Sequence, residues 1–375
     1  MNRRLSLLIL PILSLSILAG CATSNRLTTA RDRLEQELVE RNVDPDEVVV
    51  PYELSPEMKD WLGKRVPRIG SPQSRLATLL YYLLAEENLG LRYAKGYTGT
   101  AQEVFESKTA NCLSFSHLFV GMARQLGVPV YYLGVKEVEG FEKEGDLVIV
   151  SNHVTVGHGP SRDQLILEFD LGPEVDYHNV EPLSDLTAMA LYYSNRGAER
   201  MRAGELEAAV EALELATRLD PELASAWGNL GVGLRRLERW EDAEEAYRRA
   251  LEIDPRFTTA YQNLASLLRR QGRDEEAREL MVLVEEIGPR NPYAYLNLGD
   301  LSLARGRIDA ARRLYRKAVH RYGDHADAHA ALGLLELRLG NRDEAKRHLQ
   351  RARKIDPDAE RVRSLERRLD TRGEG

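Results

Sequence analysis

Two cysteines in 375 residues are too few for a disulfide framework, and Cys112 stands alone in the body of the chain. After the first twenty residues no stretch is long and apolar enough to anchor the chain in a bilayer a second time. A basic excess is missing too: 52 Lys and Arg against 59 Asp and Glu leave a formal charge of −7. That balance argues against nucleic acid as a partner. The spacing of Cys112, His153 and Asp170 matches none of the compact zinc patterns, so no metal is expected; no cofactor is expected either. The length exceeds what one compact core holds, so more than one domain is expected.

Met1 to Cys21 reads as an export signal. Arg3 and Arg4 supply the positive start, and Leu5 to Leu18 is apolar but too short to span as a mature helix. The run ends in Leu18-Ala19-Gly20-Cys21, which resembles the bacterial lipobox. The resemblance implies that residues 1–20 are a lipoprotein signal peptide and that Cys21 carries lipid. Losing Arg3 and Arg4 takes the formal charge two units further, to −9. Ala22, rather than Asp, follows the cysteine, so the expectation is the outer membrane, facing the periplasm. The membrane would then be met only through the N-terminal lipid. Cys112 would be a lone thiol in an oxidising compartment, a liability unless buried or used. Residues 21–55 read as a tether and an N-terminal helix.

Residues 56–175 read as an α+β domain. Pro56 to Val66 and Ser74 to Leu89 have helical patterning, with Leu76, Leu79, Leu80, Leu83 and Leu84 as the stripe of the second. Thr100 with Glu103 has capping-box spacing. Phe115, Leu118, Phe119, Met122 and Leu126 recur at helical spacing after Asn111, a plausible N-cap, so Cys112 falls on the first turn. Unpaired N–H groups and the helix dipole there favour a thiolate, the nucleophilic form. Strand patterning follows. Val128 to Val135 is one run. Leu147 to Val156 is another, with Val148, Val150, Val154 and Val156 on one face and Ser151, His153 and Thr155 on the other. Gln164 to Leu171 is a third. A hairpin turning near Ser161 would set His153 opposite Asp170, on the face left free by the apolar alternation.

This order of cysteine, histidine and aspartate resembles the transglutaminase-like superfamily, which shares its core with papain-like cysteine proteases. Over roughly residues 70–175 the matching text is Ala101-Gln102-Glu103-Val104-Phe105, Ala110-Asn111-Cys112-Leu113-Ser114-Phe115-Ser116, Ala123-Arg124-Gln125-Leu126-Gly127-Val128-Pro129-Val130, Ser151-Asn152-His153-Val154 and Leu167-Glu168-Phe169-Asp170. The resemblance implies Cys112 as nucleophile, His153 as general base and Asp170 as orienting carboxylate. The implied chemistry is attack on an amide carbonyl through a thioester, resolved by water or an amine. The chain departs from the pattern in Asn111, where many members have Gly, and in Thr155, where many have an aromatic residue. Gln102, Asn111 and Tyr97 are the upstream side chains that could serve as oxyanion donor. His158 is the competing base, and His117 follows the cysteine by five positions.

Residues 176–189 read as a linker with little regular pattern, although Leu186 to Tyr193 already has the cast of a helix. Residues 190–357 repeat every 34 residues. Pro221, Pro255, Pro289 and Pro357 share a column in which Gly323 takes one place, and Gly197, Gly231, Ala265, Gly299 and Gly333 share another. Ala209, Ala243, Ala277, Ala311 and Ala345 form a third. This resembles five tetratricopeptide repeats (TPRs), an all-α solenoid, closed by a capping helix and tail over 358–375. The resemblance implies a concave face carrying Leu191, Ser194, Val232, Arg235, Gln262 and Arg269. Tyr293, Leu296 and Asp300 continue that face. Asn195, Asn229, Asn263 and Asn297 recur in one column; they either clamp the extended backbone of a protein or peptide partner or are simply common repeat text. The expected function is a cysteine protease, amidase or acyltransferase on peptide amides whose repeats recruit a partner or substrate. The alternative is a non-catalytic scaffold of the cell envelope.

Overall fold

Capping side chains set where the early helices begin. The computed structural model describes residues 30–94, 96–144, 147–160, 162, 164–167, 180–288 and 291–370. Helix α1 (Ala30–Glu40) leads through a short 3₁₀ turn to α2 (Pro56–Arg65) and α3 (Pro72–Leu84). Ser55 accepts from the Met58 N–H at 3.3 Å and Ser71 from the Ser74 N–H at 3.1 Å. The proline after each serine has no N–H to leave unpaired. Strand β1 (Arg92–Tyr93), helix α4 (Ala101–Ser107), strand β2 (Thr109–Ala110) and helix α5 (Cys112–Gln125) follow. The capping box at α4 is complete: Thr100 Oγ1 accepts from Glu103 N–H at 3.2 Å, and Glu103 accepts from Thr100 N–H at 2.7 Å. Asn111 caps α5, accepting from Ser114 N–H at 2.8 Å.

Strands β3 (Tyr131–Glu144), β4 (Leu147–His158), β5 (Leu165–Leu167) and β6 (Val180–Leu183) form an antiparallel sheet in the order β5-β4-β3-β6. Helix α5 lies on it. Phe115, Leu118, Phe119 and Met122 share a core with Tyr132, Val154 and Val156. Gly121 lets the preceding segment cross closely: a Cβ there would sit 2.3 Å from the Tyr52 carbonyl oxygen. Two strands differ from the sequence expectation. β3 does not stop at Val135 but runs on to Glu144. Part of the expected linker is strand β6, paired Tyr132 to Leu183. Four residues containing a proline give no strand signal alone; ladder bonds to β3 make the strand, and Pro182 is tolerated at a sheet edge.

The helices that follow pair as α6 (Asp185–Ala203) with α7 (Leu206–Leu219), α8 (Ala224–Arg236) with α9 (Trp240–Ile253), α10 (Thr258–Arg270) with α11 (Asp274–Ile287), α12 (Pro292–Ala304) with α13 (Ile308–Arg321), and α14 (Ala326–Arg338) with α15 (Arg342–Ile355). α16 (Glu360–Asp370) closes the stack through Val362, Leu365 and Leu369. The small-residue column is steric. A Cβ on Gly299 would lie 2.2 Å from the Tyr315 ring, and one on Gly231 would lie 2.5 Å from the Tyr247 ring.

The two parts interlock. Ala188, Leu191 and Tyr192 of α6 belong to the same core as α5 and the sheet. Arg124 of α5 pairs with Asp185 at the start of α6, at 2.6 and 2.8 Å. In the other direction, the far half of the β3–β4 hairpin enters the solenoid. Leu147 and Ile149 pack among α6 to α12, Val148 against Tyr293 and Leu296, and Val150 against Phe257 and Ala260. The expected alternation of one buried and one free face therefore fails here: Leu147 to Val150 are each at most 4% exposed. Solenoid helices cover both faces, and each such side chain is worth about 1.5–3 kcal/mol when buried.

Candidate functional site

Cys112 opens α5 and is half-buried. One turn later Ser116 Oγ donates to the Cys112 carbonyl at 2.8 Å and lies 3.4 Å from the Val154 carbonyl. The first turn of α5 therefore rests on the stretch of β4 that holds His153. His153 is half-buried and stands opposite Val135. There the register jumps: His153 pairs with Val135, but Asn152 pairs with Glu139, so β3 carries a bulge beside the histidine. Bulges bend a strand and re-aim its side chains. Asp170 and Cys21 lie outside the described residues.

The competing groups are otherwise engaged. His158 is buried at the far end of β4, with Nδ1 2.7 Å from the Pro129 carbonyl. His117 faces the core, its Nδ1 3.0 Å from the Tyr132 hydroxyl. Burial holds its imidazole down at about 3, so it stays neutral. Among the described residues no three His, Cys, Asp or Glu side chains gather as metal ligands would.

A loop from Gly96 to Gly99 wraps the start of α5. Asn111 Nδ2 donates to Thr98 Oγ1 at 2.9 Å, and Gly99 N–H donates to Ser114 Oγ at 2.8 Å. The loop is tied in turn to the solenoid. Thr98 N–H donates to Glu199 at 2.6 Å, Glu199 pairs with Arg196 at 3.1 Å, and Arg196 lies 5.0 Å over the Tyr97 ring. Burial raises the Glu199 carboxyl above the ordinary carboxylate range. Gln102 donates to Glu106 one turn along its own helix. Gln102, Asn111 and Tyr97 are thus all engaged in other contacts. A cleft of about 80 Å³ remains, lined by Thr98, Asn111, Ser151, Asn195, Glu199 and Arg202. It joins the residue before Cys112, the strand of His153 and the first solenoid helix.

The asparagine column meets the hairpin. Asn229 Oδ1 accepts from Val150 N–H at 3.0 Å and its Nδ2 donates to Val150 C=O at 2.9 Å. One repeat on, Asn263 makes the same pair with Val148, at 3.0 and 2.9 Å. Ser225 adds a bond to Asn152 at 3.0 Å. Nothing in the sequence marks β4 as the occupant; two outward backbone positions per two repeats is a match visible only once the strand is in place. Val232, Arg235, Leu296 and Tyr293 are buried, and Asn297 is half-buried. Gln262 is buried and accepts from Asn291 at 2.9 Å. Asp300 accepts from the Tyr315 hydroxyl at 2.6 Å and pairs with Arg361 of the capping helix. Arg269 is exposed.

Residues 64–154 match the transglutaminase-like superfamily, a stretch that includes Cys112 and His153 and ends before Asp170. Tetratricopeptide repeat families match residues 190–223, 224–257, 246–279 and 302–369. The chain thus carries a transglutaminase-like domain followed by several tetratricopeptide repeats. Its solenoid is similar to solved repeat proteins. One is pilF of Pseudomonas aeruginosa, at 23% identity over 49% of this chain and 84% of that one, with a TM-score of 0.40. A second is a thermophilic repeat protein of Thermus thermophilus, TTC0263, at 23% over 48% and 97%, TM-score 0.38. A third is MamA of Desulfovibrio magneticus RS-1, at 19% over 46% and 97%, TM-score 0.32. No curated protein matched the chain.

Proposed function

We propose that the transglutaminase-like domain is a cysteine amide hydrolase or acyltransferase, with Cys112 as nucleophile and His153 as its base. The observation that carries this reading is the seating of the first turn of α5 on the β4 stretch bearing His153, through Ser116. His153 takes the thiol proton, the sulfur attacks the amide carbonyl carbon, and the C–N bond breaks. The imidazolium returns the proton to the leaving amine. Water or a second amine then attacks the thioester carbonyl and gives up its proton to the imidazole; the C–S bond breaks, and that proton regenerates the thiol. The Cys112 backbone N–H, free of an intrahelical partner at the helix start, is the proposed oxyanion donor. Asp170, outside the described residues, is the proposed orienting carboxylate.

The proposed substrate is a peptide or protein; the small cleft against α6 sets the first repeat beside the site, and the outer repeats are the proposed recruiting surface. The chain's location is read from its first residues: Cys21 is the proposed lipid attachment point, in the cell envelope and facing the periplasm. A fluorescent, thiol-reactive amide probe tests the chemistry. Label should depend on Cys112 and fall by roughly a hundredfold or more in His153→Ala, within the range general bases contribute. Equal labelling of the wild type and His153→Ala, both folded, would leave Cys112 without a base and the reading without support.

A further inference from the structure

His153 sits where β4 changes surroundings. On one side of it, Val154 and Val156 pack under α5. On the other, Leu147 to Val150 are enclosed by the solenoid. The bulge in β3 falls opposite the step from Asn152 to His153, so β3 does not hold that step in regular register. The edge of β4 that faces away from β3 carries the N–H and C=O groups of Val148 and Val150. Asparagine amides from successive repeats take both groups of both residues. The contacts read backbone alone. Because Leu147 to Val150 are apolar and covered on both faces, side-chain patterning does little to choose among registers there. A slip of two residues would keep the pattern of outward groups yet move His153 by about 7 Å along the strand. Errors far smaller than that disable a nucleophile–base pair.

We propose that Asn229 and Asn263 are positioning residues for His153: the solenoid's inner face holds the chain's own strand in one register and so aims the imidazole at the start of α5. This rests on the reading of Cys112 and His153 as a pair. The solenoid is in this respect part of the site. Asn263 is the more telling position, because its amide holds Val148, five residues from His153. The strand links that contact directly to the histidine.

The test uses the full chain and iodoacetamide as the probe of Cys112, with rates taken at about pH 6 and about pH 9. A loss of exposure slows both rates alike. Loss of the imidazole partner slows the lower-pH rate selectively, because there the reaction depends on a positioned base to take the thiol proton. His153→Ala should lower the ratio of the two rates by roughly tenfold or more. Asn263→Ala and Asn229→Ala should lower it in the same direction, and hydrogen exchange of residues 147–152 should rise with it. Asn263→Asp keeps the acceptor for Val148 N–H and should recover part of the ratio; it also serves if an alanine variant does not fold. Faster exchange in 147–152 with an unchanged ratio would overturn the positioning role and leave the Cys112–His153 pair standing. An unchanged ratio in His153→Ala would remove the pair itself, and the positioning role with it.

Discussion

The two halves of β4 differ in what buries them. Val154 and Val156 turn to α5 and the core of their own domain as expected, but Thr155, expected on the free face, is buried too and donates to the Leu167 carbonyl at 2.7 Å. Residues 147–150 are covered on both faces by helices that begin more than thirty positions later in the chain. The strand thus has two hosts. A domain border drawn at a change of sequence pattern is not a border in the packing. The same holds for α6, a repeat helix that completes the α/β core with Ala188, Leu191 and Tyr192.

The largest effect should come from separating the two hosts. Ending the chain at residue 184 strips those three side chains from the core and bares Leu147 to Val150. The fragment should lose its cooperative thermal transition and near-ultraviolet circular dichroism; a sharp two-state melt would mean the α/β part stands alone. Next comes a charge in the shared half of the strand. Val150 is 2% exposed, and Val150→Asp should destabilise the protein by about 3 kcal/mol or more in urea unfolding. The control Val39→Asp, at a position 62% exposed on α1, should change little. Comparable losses at the two positions would contradict the enclosure of the hairpin.

The smallest effect concerns the α5 side of the comparison. His117 is buried and neutral down to about 3, while an unfolded histidine takes up its proton near 6.5. The unfolded state therefore binds more protons between those values, so this contribution is full above about pH 6.5 and falls as the pH drops through that window. From about pH 7 to about pH 4.5 the wild type should lose about 2 kcal/mol more stability than His117→Gln. Equal losses in the two proteins would show that another group supplies the acid sensitivity.

Much of this architecture could be read before folding was known. Ser, Thr and Asn side chains start helices by accepting from the backbone N–H three residues on, and Thr100 and Asn111 behave accordingly. A 34-residue period with small residues in fixed columns specifies stacked helix pairs, since each copy must bury its apolar face on the next. These signals act within one turn or one repeat. The course of the hairpin was not legible, because a run such as Leu147-Val148-Ile149-Val150 suits any strand buried on one face or two. The asparagine column was visible but its occupant was not. Backbone recognition leaves no mark on the recognised sequence. Which strand fills the groove, where the bulge falls beside His153, and which core receives α6 were decided only by tertiary packing, where groups distant along the chain compete for the same buried surface.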